Sequence, residues 1–145
     1  MTDTITYSQE EILDYIKSNF VQDVYEVAIP TEVTLPRDKY GIMAPYIAIQ
    51  FGDLQMVGAR NMANAQAHGY HLPIYIGIVS GDADISKRLA NRLNVALLGF
   101  SITHGGQVEK RAGGQMYPIP AQMGSYESYV MPASFGVAIE VAPLP

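Results

Sequence analysis

Apolar residues are densest between Leu72 and Phe100, and their spacing changes partway along this stretch. Leu72 to Val79 is almost continuously apolar and rich in β-branched and aromatic residues, which is typical of a central strand. Ser80-Gly81-Asp82 breaks this run, and large aliphatic residues then recur every four positions, at Ile85, Leu89, Leu93 and Leu97. This spacing predicts an amphipathic helix that Asp84 caps at its start and Gly99 ends in the left-handed conformation.

A second helical pattern lies near the start of the chain. Ser8-Gln9-Glu10-Glu11 has the form of a capping box, in which the Ser8 hydroxyl caps the helix and Glu11 reaches back. Apolar residues at helical spacing follow, at Ile12, Leu13, Ile16 and Phe20. We therefore expect a helix from Gln9 to Asn19, preceded by a frayed or docking arm over residues 1–7.

Alternating patterns predict strands over Val24–Ile29, Ala44–Phe51 and Phe135–Val141, with a further strand possible over Tyr126–Met131. Four stretches are expected to be loops or arms: Thr31–Gly41, Leu54–His71, Ser101–Gly114 and Gln115–Ser134, of which the second could contain a short paired strand and the third a hairpin.

Strands that follow one another without a helical crossover usually pair antiparallel. The sequence thus predicts one α+β domain over residues 1–145. Its architecture is a small, mostly antiparallel sheet with two helices packed on one face, in the order α-β-β-β-α-β(-β), with long loops or arms.

Charge is sparse and unevenly placed. The formal net charge is −5, which argues against general binding of a phosphate backbone. Arg60 is the only charged residue between Leu54 and Gly81, and Glu127 is the only one between Ala112 and Ile139. Both stretches are depleted in charge and enriched in Tyr and Met, a composition typical of interfaces. Loops packed on their own domain fit the same composition.

Residues that could carry chemistry are few. There is no cysteine, and His68, His71 and His104 lack the spacing of a metal site. Asp82 and Asp84 are explained by turn formation and helix capping, and no nucleotide-binding glycine loop or nucleophile elbow is present. We therefore expect no catalysis, cofactor or metal. The polar N-terminal stretch and the absence of a long apolar run favour a soluble, non-secreted protein.

One cluster of charge remains open to interpretation. Lys87, Arg88 and Arg92 should form a basic face on the second helix, and Lys110-Arg111 should form a smaller basic spot. These residues fit contact with DNA phosphates, a solvated helix face, or ion pairing with an acidic neighbouring subunit.

The whole chain resembles the tail terminator, or tail completion, proteins of long-tailed bacteriophages. The segments that carry the resemblance are YSQEEILDYIKSNF followed by VYEVAIP near the start, PIYIGIVSGDAD, ISKRLANRLNVALLGF, and SFGVAIEV near the end. The resemblance lies in the order and shape of these elements and in the size of the chain.

This resemblance implies a structural virion protein that assembles into a ring, typically a hexamer, on the head-proximal end of the tail tube. The ring stops addition of tube subunits and offers a surface to the neck proteins of the head–tail junction. Genomic DNA passes through its lumen without specific binding, and no reaction is catalysed. Assembly would take place in the host cytoplasm.

Composition and charge nominate a set of residues for contacts with other subunits, the tube or the neck. The set comprises Arg37, Asp38, Lys39, Met56, Arg60, Met62, Tyr70, Lys87, Arg88, Arg92, Tyr117, Met123 and Tyr126. Two other functions remain open at this point. One is another neck or head–tail joining protein. The other is a small enzyme or ligand-binding domain that uses His68, His71 or His104.

Overall fold

A computed structural model of the chain describes residues 3–26, 37, 39, 41–56, 68–120 and 126–141. These residues form two helices and seven strands. In chain order they are α1 (Thr4–Asn19), β1 (Asp23–Glu26), β2 (Tyr46–Phe51), β3 (Gln55–Met56), β4 (His68–Ser80), α2 (Ala83–Leu97), β5 (Glu109–Gly113), β6 (Tyr117–Pro120) and β7 (Tyr126–Val141).

The strands make one sheet in the order β1-β2-β4-β7-β5, with β3 also paired to β4 and β6 also paired to β7. All pairs are antiparallel except β1 with β2, which are parallel. The α+β class, the mostly antiparallel sheet and the order of the main elements are therefore confirmed. The β1–β2 pair departs from the antiparallel rule because residues 27–45 are long enough to return the chain to the same end of the sheet.

The centre of the sheet is the pairing of β4 with β7, which extends from His68 opposite Val141 to Ser80 opposite Tyr129. The two strands predicted over Tyr126–Met131 and Phe135–Val141 are thus one strand. Pro132 does not interrupt it, because this residue falls between the parts of β7 that pair with β6 and with β5. A residue without an N–H group is least harmful at such a gap in the ladder.

Both helices pack on one face of the sheet, as predicted, and enclose a single main core. Alternate residues of β4, from Leu72 to Ile78, are buried there beside Phe135 and Val137 of β7. The helices supply further buried residues to the same core: Ile12, Leu13, Ile16, Leu89, Ala90, Leu93 and Leu97. Each large side chain buried in this way contributes roughly 1.5–3 kcal/mol.

The start of α1 differs from the prediction. Asp3 is the N-cap, and its carboxylate accepts hydrogen bonds from the Thr6 amide at 2.7 Å and the Thr6 hydroxyl at 3.0 Å. Ser8 lies inside the helix and is fully buried, so the predicted capping box and the non-helical arm over residues 4–7 are wrong. Glu11 instead accepts hydrogen bonds from the amide and hydroxyl of Thr103, at 2.8 and 2.5 Å.

The start of α2 also differs. Asp82, not Asp84, is the N-cap, and its carboxylate accepts from the Asp84 amide at 2.8 Å. Ile85 is 40 % exposed, and Ser86 takes the buried position at the beginning of the helix. The remaining three leucines of the predicted stripe are buried. Gly99 has φ +84°, which confirms its predicted left-handed conformation.

The loops are partly replaced by strands. β3 and the first residues of β4 lie within Leu54–His71 and pair with each other, which confirms the prediction that this stretch could contain a short paired strand. β6 lies within Gln115–Ser134, so the expectation that this segment is irregular is wrong for Tyr117–Pro120. Of the predicted strand Val24–Ile29 and loop Thr31–Gly41, residues 27–36, 38 and 40 lie outside the described residues. Arg37 forms an isolated antiparallel bridge with Met43.

Candidate interaction surfaces

The face of the sheet opposite the helices has no helix packed on it within the described residues. The side chains on this face alternate with the core residues along the three central strands. They come from β2 (Tyr46, Ala48, Gln50), β4 (Tyr75, Gly77, Val79) and β7 (Val130, Pro132, Ser134). We call this surface the open sheet face.

A groove of about 330 Å³ crosses the open sheet face. Its floor is a row of small residues from adjacent strands, because Ala48 pairs with Gly77 and Gly77 pairs with Pro132. Tyr75 and Tyr117, about half exposed, also line the groove. The rest of the lining comes from Ile49, Gln50, Ile76, Ala112, Gly113, Gly114, Val130, Ala133 and Ser134, so no lining side chain carries a charge.

Tyrosines border this groove on the β1 side. The rings of Tyr25 and Tyr46 meet edge to face, with centroids 5.8 Å apart. Burial, and then the proximity of Tyr25 and Tyr117, raises the pKa of the Tyr46 hydroxyl, which therefore stays protonated at neutral pH. The open sheet face thus presents tyrosines around a groove whose lining side chains carry no charge, and aromatic enrichment with depletion of charge is typical of the core of a protein interface.

His71 lies at another part of the same face. Its imidazole covers Gly136 of β7, it is 9 % exposed, and its Nδ1 atom has no hydrogen-bond partner among the described residues. Burial and the positive charge of Arg111 lower the pKa of His71, against a smaller opposing effect of Glu109. His104 is elsewhere, edge to face with Tyr7 at 5.3 Å. Within the described part of the chain, no group of three His, Asp or Glu residues could hold a metal ion.

The outer surface of α1 is acidic. Glu10 and Asp14 are exposed and, with Tyr7 and Glu11, line a shallow depression of about 220 Å³. Tyr7 is 42 % exposed at the edge of this depression. We call Tyr7, Glu10 and Asp14 the acidic helix face.

The outer surface of α2 is basic. Lys87, Arg88 and Arg92 are all exposed. Arg88 Nε lies 2.8 Å from a carboxylate oxygen of Asp84, and the Arg92 guanidinium lies 5.3 Å from the centroid of the Phe20 ring. Val95 is 81 % exposed on this helix and, with Arg92, helps to line a depression of about 410 Å³. We call Lys87, Arg88, Arg92 and Val95 the basic helix face.

The structure brings some of the nominated residues together and separates others. Lys87, Arg88 and Arg92 share one helix, as predicted, whereas Tyr117 belongs to the groove. Arg37 and Lys39 are exposed, and Tyr70 packs against the core from β4. Lys110 and Arg111 do not form the predicted second basic spot, because they lie on opposite faces of the sheet. Lys110 Nζ donates to Asn94 Oδ1 of α2 at 2.8 Å, whereas Arg111 lies over Gly136 beside His71. Outside the described residues or side chains lie Asp38, Met56, Arg60, Met62, His68, Met123 and Tyr126.

Sequence reasoning missed most of the groove. In the sequence, Ala48 and Gly77 fall within predicted strands and Pro132 within a segment expected to be irregular, so none of them marks a groove. A signal was available in the alternation of β4, because small or aromatic residues occupy every position facing away from the core between Pro73 and Gly77. Such a face lacks the large aliphatic side chains against which another layer of helices or strands from the same domain would pack.

Neither α1 nor α2 has the length and hydrophobicity that a bilayer-spanning helix requires, and these are the helices of the described residues. A scan against protein-family models finds no match to this chain, and a search of curated proteins finds none either.

Proposed function

We propose that this chain is the subunit of a hexameric ring that closes the head-proximal end of a bacteriophage tail tube. The ring would halt addition of tube subunits and present a surface to the neck proteins, as the resemblance to tail terminators implies. The protein would then be part of the virion tail and would catalyse no reaction.

The open sheet face is the observation that carries this proposal. It is built on the rigid central pair β4–β7, it contains a groove without charged lining residues, and it exposes two tyrosines. Apolar and aromatic surface of this kind is costly to leave in water, and it is enriched where proteins bind one another. We assign this face to contact with the tube or the neck.

The electrostatics favour passage of DNA rather than its retention. The chain has a formal net charge of −5, so a closed ring of such subunits would repel a polyanion in its lumen at long range. This property suits a ring through which the genome must pass during ejection.

The direct test adds the purified protein to tail-tube subunits from the same phage while they polymerise. We expect shorter tubes with the protein at one end only, visible by negative-stain electron microscopy. Tubes of unchanged length without bound protein would refute the terminator function. Binding that leaves elongation unchanged would instead favour another neck protein.

A matched pair of variants connects this activity to the open sheet face. Gln50→Arg places a charged, longer side chain at the groove, and Gln107→Arg makes the same change at an exposed position outside it. We expect Gln50→Arg to lose tube capping while Gln107→Arg keeps it. Equal activity of both variants would show that this face does not bind the tube.

A further inference from the structure

The two helices carry opposite charges. Along α1 there are three carboxylates, at Glu10, Glu11 and Asp14, and one lysine. Along α2 there are three cations, at Lys87, Arg88 and Arg92, and one carboxylate. Side chains of opposite charge on two neighbouring helices commonly form ion pairs within one chain. Within the described residues, however, neither Glu10 nor Asp14 forms an ion pair with a residue of α2.

The packing of the helices explains why these charges do not meet. The Tyr15 hydroxyl of α1 donates to the Ala96 carbonyl of α2 at 2.7 Å, and Phe20 contacts Arg92, so the helices run antiparallel. From this contact, Arg88 lies about 12 Å further along α2 at 1.5 Å per residue. Glu10 lies about 7 Å in the opposite direction along α1. Glu10 and Arg88 are therefore about 20 Å apart along the helix layer, and the centres of the two charged faces are about 15 Å apart.

We infer that the acidic helix face of one copy of this chain binds the basic helix face of a second copy. Two different patches that complement each other on one chain can join neighbouring copies head to tail, and such interfaces close into rings when the rotation allows. This inference rests on the proposed ring and names the surfaces that join its neighbouring subunits. The open sheet face is thereby left for the tube or the neck.

The apolar residues beside the charges favour a protein occupant over a nucleic acid. Val95, 81 % exposed, sits beside the cations of α2, and Tyr7 sits beside the carboxylates of α1. An exposed aliphatic side chain gains nothing from a phosphate backbone, whereas it can pack against a tyrosine ring. The acidic face in turn complements the basic face in charge, which is how interfaces gain specificity and rapid association.

Three charge-reversed proteins test this pairing. The first carries Glu10→Lys and Asp14→Lys, so that both helix faces are basic. The second carries Lys87→Glu and Arg88→Glu, so that both faces are acidic. The third combines all four substitutions and exchanges the two charges. Glu11 is left unchanged because it binds Thr103, and Arg92 is left because it packs on Phe20.

Sedimentation velocity and native mass spectrometry over a concentration series would measure self-association. We expect each of the first two variants to associate about tenfold to a hundredfold more weakly than the unmodified protein. An equimolar mixture of the two should regain association, because each basic face then meets an acidic one. The third variant should associate on its own. Circular dichroism of each variant would verify that the helices are retained.

Three results would overturn the inference: no self-association of the unmodified protein, unchanged association of the first two variants, or no recovery in the mixture. The tube-capping experiment separates this failure from failure of the proposed function. If the first two variants self-associate as the unmodified protein does and also cap tubes, only the helix-face pairing is rejected. Recovery in the mixture without capping by the unmodified protein would reject only the terminator function.

Discussion

The imidazole ring of His71 in β4 occupies the space above Gly136 in β7 where any other residue would place its side chain. Gly136 pairs directly with Pro73, so His71 reaches diagonally across the two strands to cover it. The absence of a side chain at position 136 therefore permits the near-complete burial of a histidine on the open sheet face.

Replacing Gly136 by alanine should lower the free energy of unfolding by about 1–3 kcal/mol, because the new methyl group overlaps the buried ring and forces it to move. Urea unfolding followed by circular dichroism would measure the change. Gly113→Ala is the matched control, since a methyl group there meets no neighbouring atom and the residue has no positive φ. An effect of Gly136→Ala no larger than that of the control would contradict the close packing.

The same histidine should make stability depend on pH. Burial and Arg111 lower the pKa of His71 in the folded state, so the unfolded chain binds the proton more readily. The contribution of neutral His71 is therefore fully present above its ordinary pKa of about 6.5 and is lost as the pH falls through the lower, folded value. Stability should decrease from pH 7 toward pH 5, as urea titrations at several pH values would show.

Two substitutions isolate this effect. His71→Gln removes the titrating group and should flatten the pH dependence in that window. Arg111→Gln removes the positive charge that disfavours protonation and should also reduce the dependence, although less, because burial is the larger cause. The prediction fails if His71→Gln retains the slope of the unmodified protein between pH 7 and pH 5.

Local patterns in the sequence were sufficient for the main elements. The apolar run at Leu72–Val79 and the leucine spacing of α2 depend only on period and burial, and both predictions held. The N-cap residues could not be predicted from local pattern alone, because several Ser and Asp residues near each helix start are suitable N-caps. Asp3 and Asp82 cap the helices, since Ile5 packs on the core and Ser86 turns inward, contacts that form only in the folded chain.

The groove depends on register between strands that are distant in sequence. Ala48, Gly77 and Pro132 line up only because β4 pairs with β2 on one side and β7 on the other. A single-sequence pattern contains no information on that alignment, although it does show which residues face away from the core. The basic face of α2 was predictable because its residues lie within two turns of one helix.

Ser86→Ala should destabilise the fold by about 1–3 kcal/mol, because the Tyr129 carbonyl and the Ser80 hydroxyl would each lose a buried hydrogen-bond partner. Ser86 Oγ is 2.7 Å from Ser80 Oγ and donates to the Tyr129 carbonyl at 3.0 Å, so it ties α2 to both central strands. The measurement is chemical unfolding, with Ser18→Ala as the control. Ser18 also bonds a backbone carbonyl but is exposed, and its loss should change stability by less than Ser86→Ala.

Tyr15→Phe tests the contact that sets the offset of the two helices. The variant keeps the ring stacked on Phe100, with centroids 3.9 Å apart, but removes the hydroxyl that donates to the Ala96 carbonyl. We expect a loss of about 0.5–1.5 kcal/mol in unfolding free energy. Tyr25→Phe is the control, because that hydroxyl makes only an exposed 3.5 Å contact with Asp23 and its removal should have almost no effect.

Amide exchange should also become faster near the end of α2 in Tyr15→Phe, where the hydrogen bond joins α1. Equal stability of both variants would show that stacking alone positions α1 against α2, and the separation of the charged helix faces would then rest on packing rather than on this hydrogen bond.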